Sequence, residues 1–286
     1  MTIDAARLDT FEPHRPVLIG LAYRMLGSIW DAEDMVQDAF VRWCAIDLTT
    51  VREPKAFLIT VVSRLCLDKL KSSGHVRERY VGPWLPEPVV SDERGPEQTS
   101  ELRDTLAYAT LHLLQTLTPP ERAVFLLREA FVLPYADIAD VVGTTEANCR
   151  QLLSRARKSL HAARPTRPAT AAEQRELLDG FLAAVESGDL SSLNSLLSAE
   201  VVAWNDGGGK VRAALRPVRG RSQVIAFLRG LLAKYGLGTT DRVLVNGQPG
   251  LRTGSSGMRQ VVALDYAADG IRGIFVVLNP DKLALP

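Results

Sequence analysis

Cysteine is scarce in this chain of 286 residues: Cys44, Cys66 and Cys149 lie far apart, each among apolar neighbours. An odd, scattered set excludes a disulfide framework and lacks the close pairs of a zinc site. Free buried thiols in a reducing compartment are expected, with no metal and no cofactor implied. Long apolar runs are missing too, and none approaches the ~18–20 residues of a membrane span. The opening residues, MTIDAARLDTFEPHRP, lack the basic-then-apolar pattern of a signal peptide. A cytoplasmic protein with no membrane partner is the expectation. Neither charge is in excess: 34 Lys and Arg oppose 33 Asp and Glu, for a net charge of +1. Any basic footprint for nucleic acid must therefore be local.

What is present is ordinary globular material, 46% hydrophobic and 23% charged, at a length that suits about two or three domains. Residues 12–72 read as helices. Pro13 and Pro16 precede the apolar-periodic Val17, Leu18, Leu21 and Met25, which stop at Gly27, a C-cap candidate. Asp31 is expected to open a second helix, with Asp34 as its acidic third residue. A third is expected from Pro54 through PKAFLITVVSRLCLDKLKS, with Lys55, Ser63, Arg64, Lys69 and Lys71 on a basic face.

Residues 73–100 hold four of the sixteen prolines and read as a linker. Yet Tyr80, Val81, Trp84 and Leu85 are too apolar for a solvated tether, so something is expected to cover Trp84. Helical periodicity resumes over 101–163, with Thr118-Pro-Pro-Glu121 as a capping box. A second short linker, 164–170, leads to another capping box, Thr170-Ala-Ala-Glu173. The texture of 171–286 is then α+β. Helices are expected at 171–186, 189–198 and 221–235, and strands at 201–206, 211–218, 242–247, 258–266 and 271–279.

The sharpest physical signal lies at 134–160. PYADIADVV, a turn at Gly143 and TTEANCRQLLSRARKSL form a helix-turn-helix, with Ala139 leaving room and Cys149 plugging the crossing. Cys149, Leu152, Leu153, Ala156 and Leu160 form one apolar stripe. The opposite face presents Asn148, Arg150, Gln151, Ser154, Arg155, Arg157 and Lys158, preceded by Thr145 and Glu146 at the helix start. Over 144–164, five basic residues oppose one Glu. That is the geometry of a recognition helix: its first turns face base edges and its later cations neutralise phosphates.

Two stretches carry a family likeness. YRMLGSIWDAEDMVQDAFVRW with PKAFLITVVSRLCLDKLKS resembles region 2 of bacterial extracytoplasmic-function (ECF) sigma factors. LTPPERAVFLLREAFVLPYADIADVVGTTEANCRQLLSRARKSLH resembles their region 4. The remainder resembles the ECF41 subgroup, whose C-terminal extension is a SnoaL-like, NTF2-type domain; its short signatures stand here as WLPEP (84–88), DGGGK (206–210) and NPDKL (279–283). The implied fold is multidomain: two all-α modules, a helical bundle and a helix-turn-helix, followed by an α+β cone. The resemblance implies a sigma factor that directs core RNA polymerase to promoter DNA. Asp34, Gln37 and Asp38 would meet the β′ clamp, and region 4 the β flap. Lys55, Ser63, Arg64, Lys69 and Lys71 would serve the melted −10 element. Many relatives have Asn where this chain has Arg64, so that residue's −10 contact is not carried over unchanged, and stacking on a base and binding phosphate both stay open for Arg64. Thr145, Glu146, Asn148, Arg150, Gln151, Ser154, Arg155, Arg157 and Lys158 would serve the −35 element.

The C-terminal domain leaves several readings open. All four histidines precede residue 165, so a His-dependent mechanism inside it is excluded. Asp206, Asp265 and Asp281 remain as candidate bases, with Trp204, Tyr235 and Tyr266 as candidate pocket aromatics. DGGGK is not a phosphate-binding P-loop, since Asn205 stands where the first Gly belongs and Val211 follows Lys210. The reading taken is non-enzymatic: a regulatory latch in which Trp84, Leu85 and Pro86 are held by Asp206, Gly207, Gly208, Gly209 and Lys210 and by Asn279, Pro280, Asp281, Lys282 and Leu283. The alternatives are a DNA-binding regulator whose C-terminal pocket senses or processes an unidentified small ligand, and an ordinary helix-turn-helix repressor.

Overall fold

The computed structural model describes residues 5–92, 106–163, 167–236, 238–255 and 258–283. The end of the first expected linker, the start of the following helical stretch and residues 164–166 and 256–257 lie outside these. The chain forms two compact units, Met1–Val76 with Leu111–Arg164, and Arg77–Thr110 with Pro165–Pro286.

The first unit is helical. Its elements are α1 (Ala5–Phe11), α2 (Arg15–Leu26), α3 (Ile29–Ala45) and α4 (Pro54–Glu78), then α5 (Tyr108–Thr116), whose first three residues belong to the second unit, α6 (Pro119–Glu129), α7 (Tyr135–Val142) and α8 (Glu146–Ala163). Gly27 closes α2 with φ of 73°, its N–H donating to the Tyr23 carbonyl at 2.7 Å. The start of α3 lies earlier than expected. Ser28, not Asp31, is the N-cap, because its hydroxyl accepts the Asp31 N–H at 3.1 Å, and Asp31 falls inside the first turn. The apolar residues of α2, α3 and α4 converge on one core around Leu21, Met25, Val36, Trp43, Leu58 and Val62. Trp43 donates its indole N–H to the Arg7 carbonyl, and Arg7 donates back to the Trp43 and Ile46 carbonyls. This exchange fixes α1 against α3, although α1 carried no clear signal in the sequence.

The expected capping box opens α6: the Glu121 carboxylate accepts both the Thr118 N–H and its hydroxyl. Arg122, one residue on, is fully buried. Its guanidinium donates to the carbonyls of Met25, Gln115 and Leu117 and to the Gln115 side chain. A buried cation is tolerated there because it satisfies several helix-end carbonyls at once.

The second unit is a seven-stranded sheet, among the described residues, in the order β1 (Val90–Asp92), β4 (Thr239–Val245), β5 (Gln248–Ser255), β6 (Met258–Ala267), β7 (Gly270–Val277), β2 (Leu197–Asp206) and β3 (Val218–Arg219). Only the β2–β7 pair is parallel. Helices α9 (Ala171–Ser187), α10 (Leu193–Leu196) and α11 (Arg221–Tyr235) cover one face, burying Leu178, Phe181, Val224, Leu264 and Ile274 among others. The opposite face buries Val243, Val261, Ala263, Phe275 and Val277 beneath Leu85 and Tyr108. Strands covered on both faces need apolar residues at successive positions, as in the VVAL of β6 and the IFVV of β7. An extra residue at Arg272 bulges β7, so Ile271 shares a face with Ile274 despite their odd spacing.

Three local expectations fail. Residues 211–217, expected as a strand, leave the sheet; only Val218 and Arg219 pair, at its edge with β2. Residues 190–196 are helical, but β2 begins at Leu197, inside the expected helix. Strand β5 was not anticipated, because Pro249, Gly250 and Gly254 dilute its pattern; pairing on both sides supplies what propensity does not. No helix among the described residues is long and apolar enough to cross a membrane.

Candidate functional site

The deepest polar constellation lies in the α+β unit, where residues far apart in sequence meet on the sheet face away from α9 and α11. Asp206, last residue of β2, is fully buried. One carboxylate oxygen accepts the Lys282 ammonium at 2.7 Å and the Leu85 N–H at 2.8 Å. The other accepts the Tyr80 hydroxyl at 2.6 Å and the Gly208 N–H at 3.1 Å. Lys282, 7% exposed, also donates to the Leu85 carbonyl at 2.6 Å. Its ammonium lies 4.2 Å from the Trp84 ring centre and 4.8 Å from that of Tyr80. A desolvated cation between two aromatic faces is favourable where water is excluded. Burial and the adjacent Asp206 carboxylate hold the Tyr80 phenol above its usual range.

The backbone is shaped for this contact. The Asp206 carbonyl accepts the N–H groups of Leu278 and Asn279, which brings the end of β7 onto the end of β2. Asn279 then caps the 3-10 turn Pro280–Lys282 by accepting the Asp281 N–H, and its amide donates to Tyr80 at 2.9 Å. That turn points Lys282 inward. Gly208 has φ of 58°, and a Cβ there would lie 2.3 Å from the Asn279 amide nitrogen. Only glycine fits. At the surface, Lys210 pairs with Asp281 at 2.6 Å.

The segment expected as a tether is thus part of the sheet unit. Leu85 is fully buried, Pro86 is buried and its carbonyl accepts the Tyr108 hydroxyl at 2.7 Å. Val90 to Asp92 pair with β4 as its edge strand, and Asn246 exchanges hydrogen bonds with Val89. The structure brings together Trp84, Leu85, Asp206, Gly208, Asn279 and Lys282 directly, with Gly207, Gly209, Lys210, Pro280, Asp281 and Leu283 forming the surrounding turns. Sequence reasoning missed Tyr80 and Tyr108 as members. Tyr80 was legible only as an unexplained aromatic in a proline-rich stretch.

The expected pocket aromatics divide. Tyr235 lines a cavity under the helices, whereas Trp204 stacks on Phe275 at 4.8 Å on the opposite face, and Tyr266 is a core residue donating to the Pro249 carbonyl. Asp206 is held by Lys282 and the Leu85 N–H, and Asp281 by Lys210. Burial pushes the Asp265 carboxyl up, but Asp265 does not line that cavity.

In the helical unit, Asp34, Gln37 and Asp38 are exposed together on one side of α3, near exposed Val41. On α4, Lys55, Arg64 and Lys71 are exposed, and Lys69 is half-buried against Asp31 at 2.8 Å. Ser63 is a correction. It is fully buried, because it falls on the inward stripe with Ile59, Cys66, Leu67 and Leu70, so it is not on the basic face. The Arg64 guanidinium reaches α7, where it donates to the Asp140 carboxylate at 3.1 Å and to its carbonyl at 3.2 Å.

Helices α7 and α8 form the expected helix-turn-helix. Gly143 has φ of 73°, and both its N–H and that of Thr144 donate to the Ala139 carbonyl. Cys149 is buried in the crossing, which holds its thiol up. The outer face of α8 exposes Asn148, Arg150, Gln151, Ser154, Arg155, Arg157 and Lys158. Some of these are engaged internally. Arg150 pairs with Glu146 and lies over the Tyr135 ring, Arg157 pairs with Glu129 at 2.5 Å, and Asn148 donates to Thr144. Arg155 and Lys158 have no ion-pair partner among the described residues.

Comparison with known proteins agrees with these two helical modules. Residues 10–76 match the sigma-70 region 2 family and residues 108–160 the sigma-70 region 4 family. ECF RNA polymerase sigma factor SigJ of Mycobacterium tuberculosis is 39% identical, over 96% of this chain and 92% of its own. Probable ECF RNA polymerase sigma factor SigI of the same organism is 34% identical, over 77% and 84%. The crystal structure of Mycobacterium tuberculosis SigJ superposes with a TM-score of 0.80 at 36% identity, covering 96% of this chain and 98% of that one. With two sigma modules, a C-terminal α+β domain and a relative matched along nearly its whole length, the chain belongs to the ECF RNA polymerase sigma factors.

Proposed function

We propose that this sigma factor carries its own regulator, and that the α+β unit sets promoter activity by holding the linker segment 80–92 on its sheet. The observation that carries this is the Asp206–Lys282 pair closed over Leu85, Trp84 and Tyr80. A surface tether would not need a buried ion pair, whose desolvation is repaid only by full hydrogen bonding. Holding this segment limits how far the modules before and after it can separate along DNA.

In this reading Asp34, Gln37 and Asp38 contact the polymerase β′ clamp, and region 4 contacts the β flap. Lys55, Arg64, Lys69 and Lys71 face the −10 strand. Arg155 and Lys158 neutralise phosphates at the −35 element, while Asn148, Arg150, Gln151 and Ser154 face base edges. Thr145 and Glu146 set the helix start. Core polymerase and promoter DNA are the partners, in the cytoplasm. In this reading the α+β unit serves regulation rather than bond-making chemistry.

The test is in vitro transcription with core polymerase and the full-length protein, mapping RNA 5′ ends, beside Trp84→Ala and Lys282→Met. Protein-dependent starts that share two upstream elements at fixed spacing, with yields shifted in the same direction by both variants, support the reading. Yields unchanged in both variants remove the latch.

A further inference from the structure

The α+β unit encloses a cavity of about 370 Å³ between the sheet and helices α9 and α11. Its walls are largely apolar, with Phe181, Phe227, Leu231 and Ile274 prominent, and its size is that of a small-molecule site. Water gains little from such walls, yet one polar group faces them unpaid. Asn205 is 3% exposed, lines the cavity, and its amide nitrogen has no hydrogen-bond partner among the described residues. Leaving a buried donor unsatisfied is costly, and such a group in a native fold asks for an explanation. The neighbouring amide of Gln260 is already committed to the Thr253 hydroxyl at 2.5 Å. The charged lining residues are Arg212 and Lys234, both cationic. Among the described residues the lining therefore offers donors and positive charge and no carboxylate to pair with a cation.

The cavity also shares its wall with the latch. Alternation along β2 sends Asn205 into the cavity and Asp206 to the opposite face. The strap that follows does the same in sequence. Gly208 and Gly209 pack against Tyr80 and Val81, while Arg212, Ala213 and Ala214 line the cavity. Gly82 lies against Ala214 and Leu215.

We infer that this cavity binds a small, largely apolar molecule whose hydrogen-bond acceptor, a carbonyl or carboxylate oxygen, takes the Asn205 amide, and that the strap 207–216 passes its occupancy to the linker. The second half rests on the regulatory reading above.

Full-length protein is titrated calorimetrically with decanoate, methyl octyl ketone and decylamine. The acid and the ketone bind, and the amine does not. Asn205→Leu, close to isosteric, weakens the ketone about tenfold, the worth of one hydrogen bond, while leaving the unliganded thermal midpoint unchanged or raised. Hydrogen exchange of the Leu85 amide changes on adding the ketone to wild type. Binding of the amine as tight as the ketone, or ketone affinity unmoved in Asn205→Leu, overturns the site. Binding with no change at Leu85 overturns the coupling alone. If Trp84→Ala and Lys282→Met leave transcription unaltered while the ketone still binds, the latch reading fails and the cavity site stands.

Discussion

Replacing Lys282 by Met keeps the length of the side chain and removes only its charge and donors. The variant leaves the Asp206 carboxylate buried beside three remaining donors, Tyr80, Leu85 and Gly208. Stranding one member of a buried ion pair costs about 3–5 kcal/mol, and these three hydrogen bonds place this case near 3 kcal/mol. The Leu85 carbonyl also loses its partner, adding about 1 kcal/mol. A local loss of about 4 kcal/mol corresponds to nearly a thousandfold faster exchange of the Leu85 amide, since each tenfold is about 1.4 kcal/mol. The assay is hydrogen–deuterium exchange across residues 80–90 in the full chain. Asp206→Asn with Lys282→Met replaces both charges by neutral groups and recovers most of the loss, because the desolvation cost disappears with the charge. Two results would refute the reasoning: exchange in the single variant altered by less than tenfold, or a double variant that opens as readily as the single one.

Three further outcomes are expected. Gly208→Ala clashes with Asn279 in a backbone region that disfavours a side chain, so thermal melting falls by several degrees and exchange rises at both Tyr80 and Leu85. Arg155→Ala on the exposed face of α8 weakens binding to promoter duplexes nearly uniformly across sequences and lowers the salt slope of log Kd by about 1; an unchanged slope places Arg155 off the DNA. The Arg167 ion pair holds the Glu173 carboxyl down at about 2. A depressed carboxyl contributes stability above its unfolded value, so the cap of α9 is intact at neutral pH and weakens as pH falls from about 4.5 toward 2. Glu173→Gln flattens that pH dependence when α9 exchange is followed by titration.

Much of the helical unit was legible because its signals are local. Gly143 with Ala139 and Cys149 spells a helical crossing within eleven residues, and Thr118 with Glu121 spells a helix start within four. Charge polarity on α8 follows from the 3.6-residue period alone. Ser63 shows the limit of the same logic. A small polar residue beside Arg64 reads as part of the basic face, yet its angular position puts it inside, and only the packing of α4 reveals which side faces the core. Ser28 likewise took the cap from Asp31 because the chain had to turn immediately after Gly27.

The α+β unit divides differently. The sequence by itself determined that a helix opens after Thr170, that α11 spans Arg221–Tyr235, and that no histidine follows residue 164; that Arg167, Pro168 and Ala169 already pack on the sheet came from the structure. It also marked WLPEP, DGGGK and NPDKL as three separate signatures. Their grouping was an expectation drawn from the sequence; only the tertiary structure supplies the contacts through which they meet. A carboxylate at 206 and an ammonium at 282 acquire meaning from a parallel β2–β7 pair that brings the two strand ends together. The edge pairing of Val90 to Asp92, the inward turn of Lys282 and the unpaired amide of Asn205 are likewise consequences of long-range packing. Hydrophobic period and cap chemistry act over a few residues and can be read from the chain. Burial, which fixes whether a charge must be paired and whether a donor lacks a partner, belongs to the assembled fold.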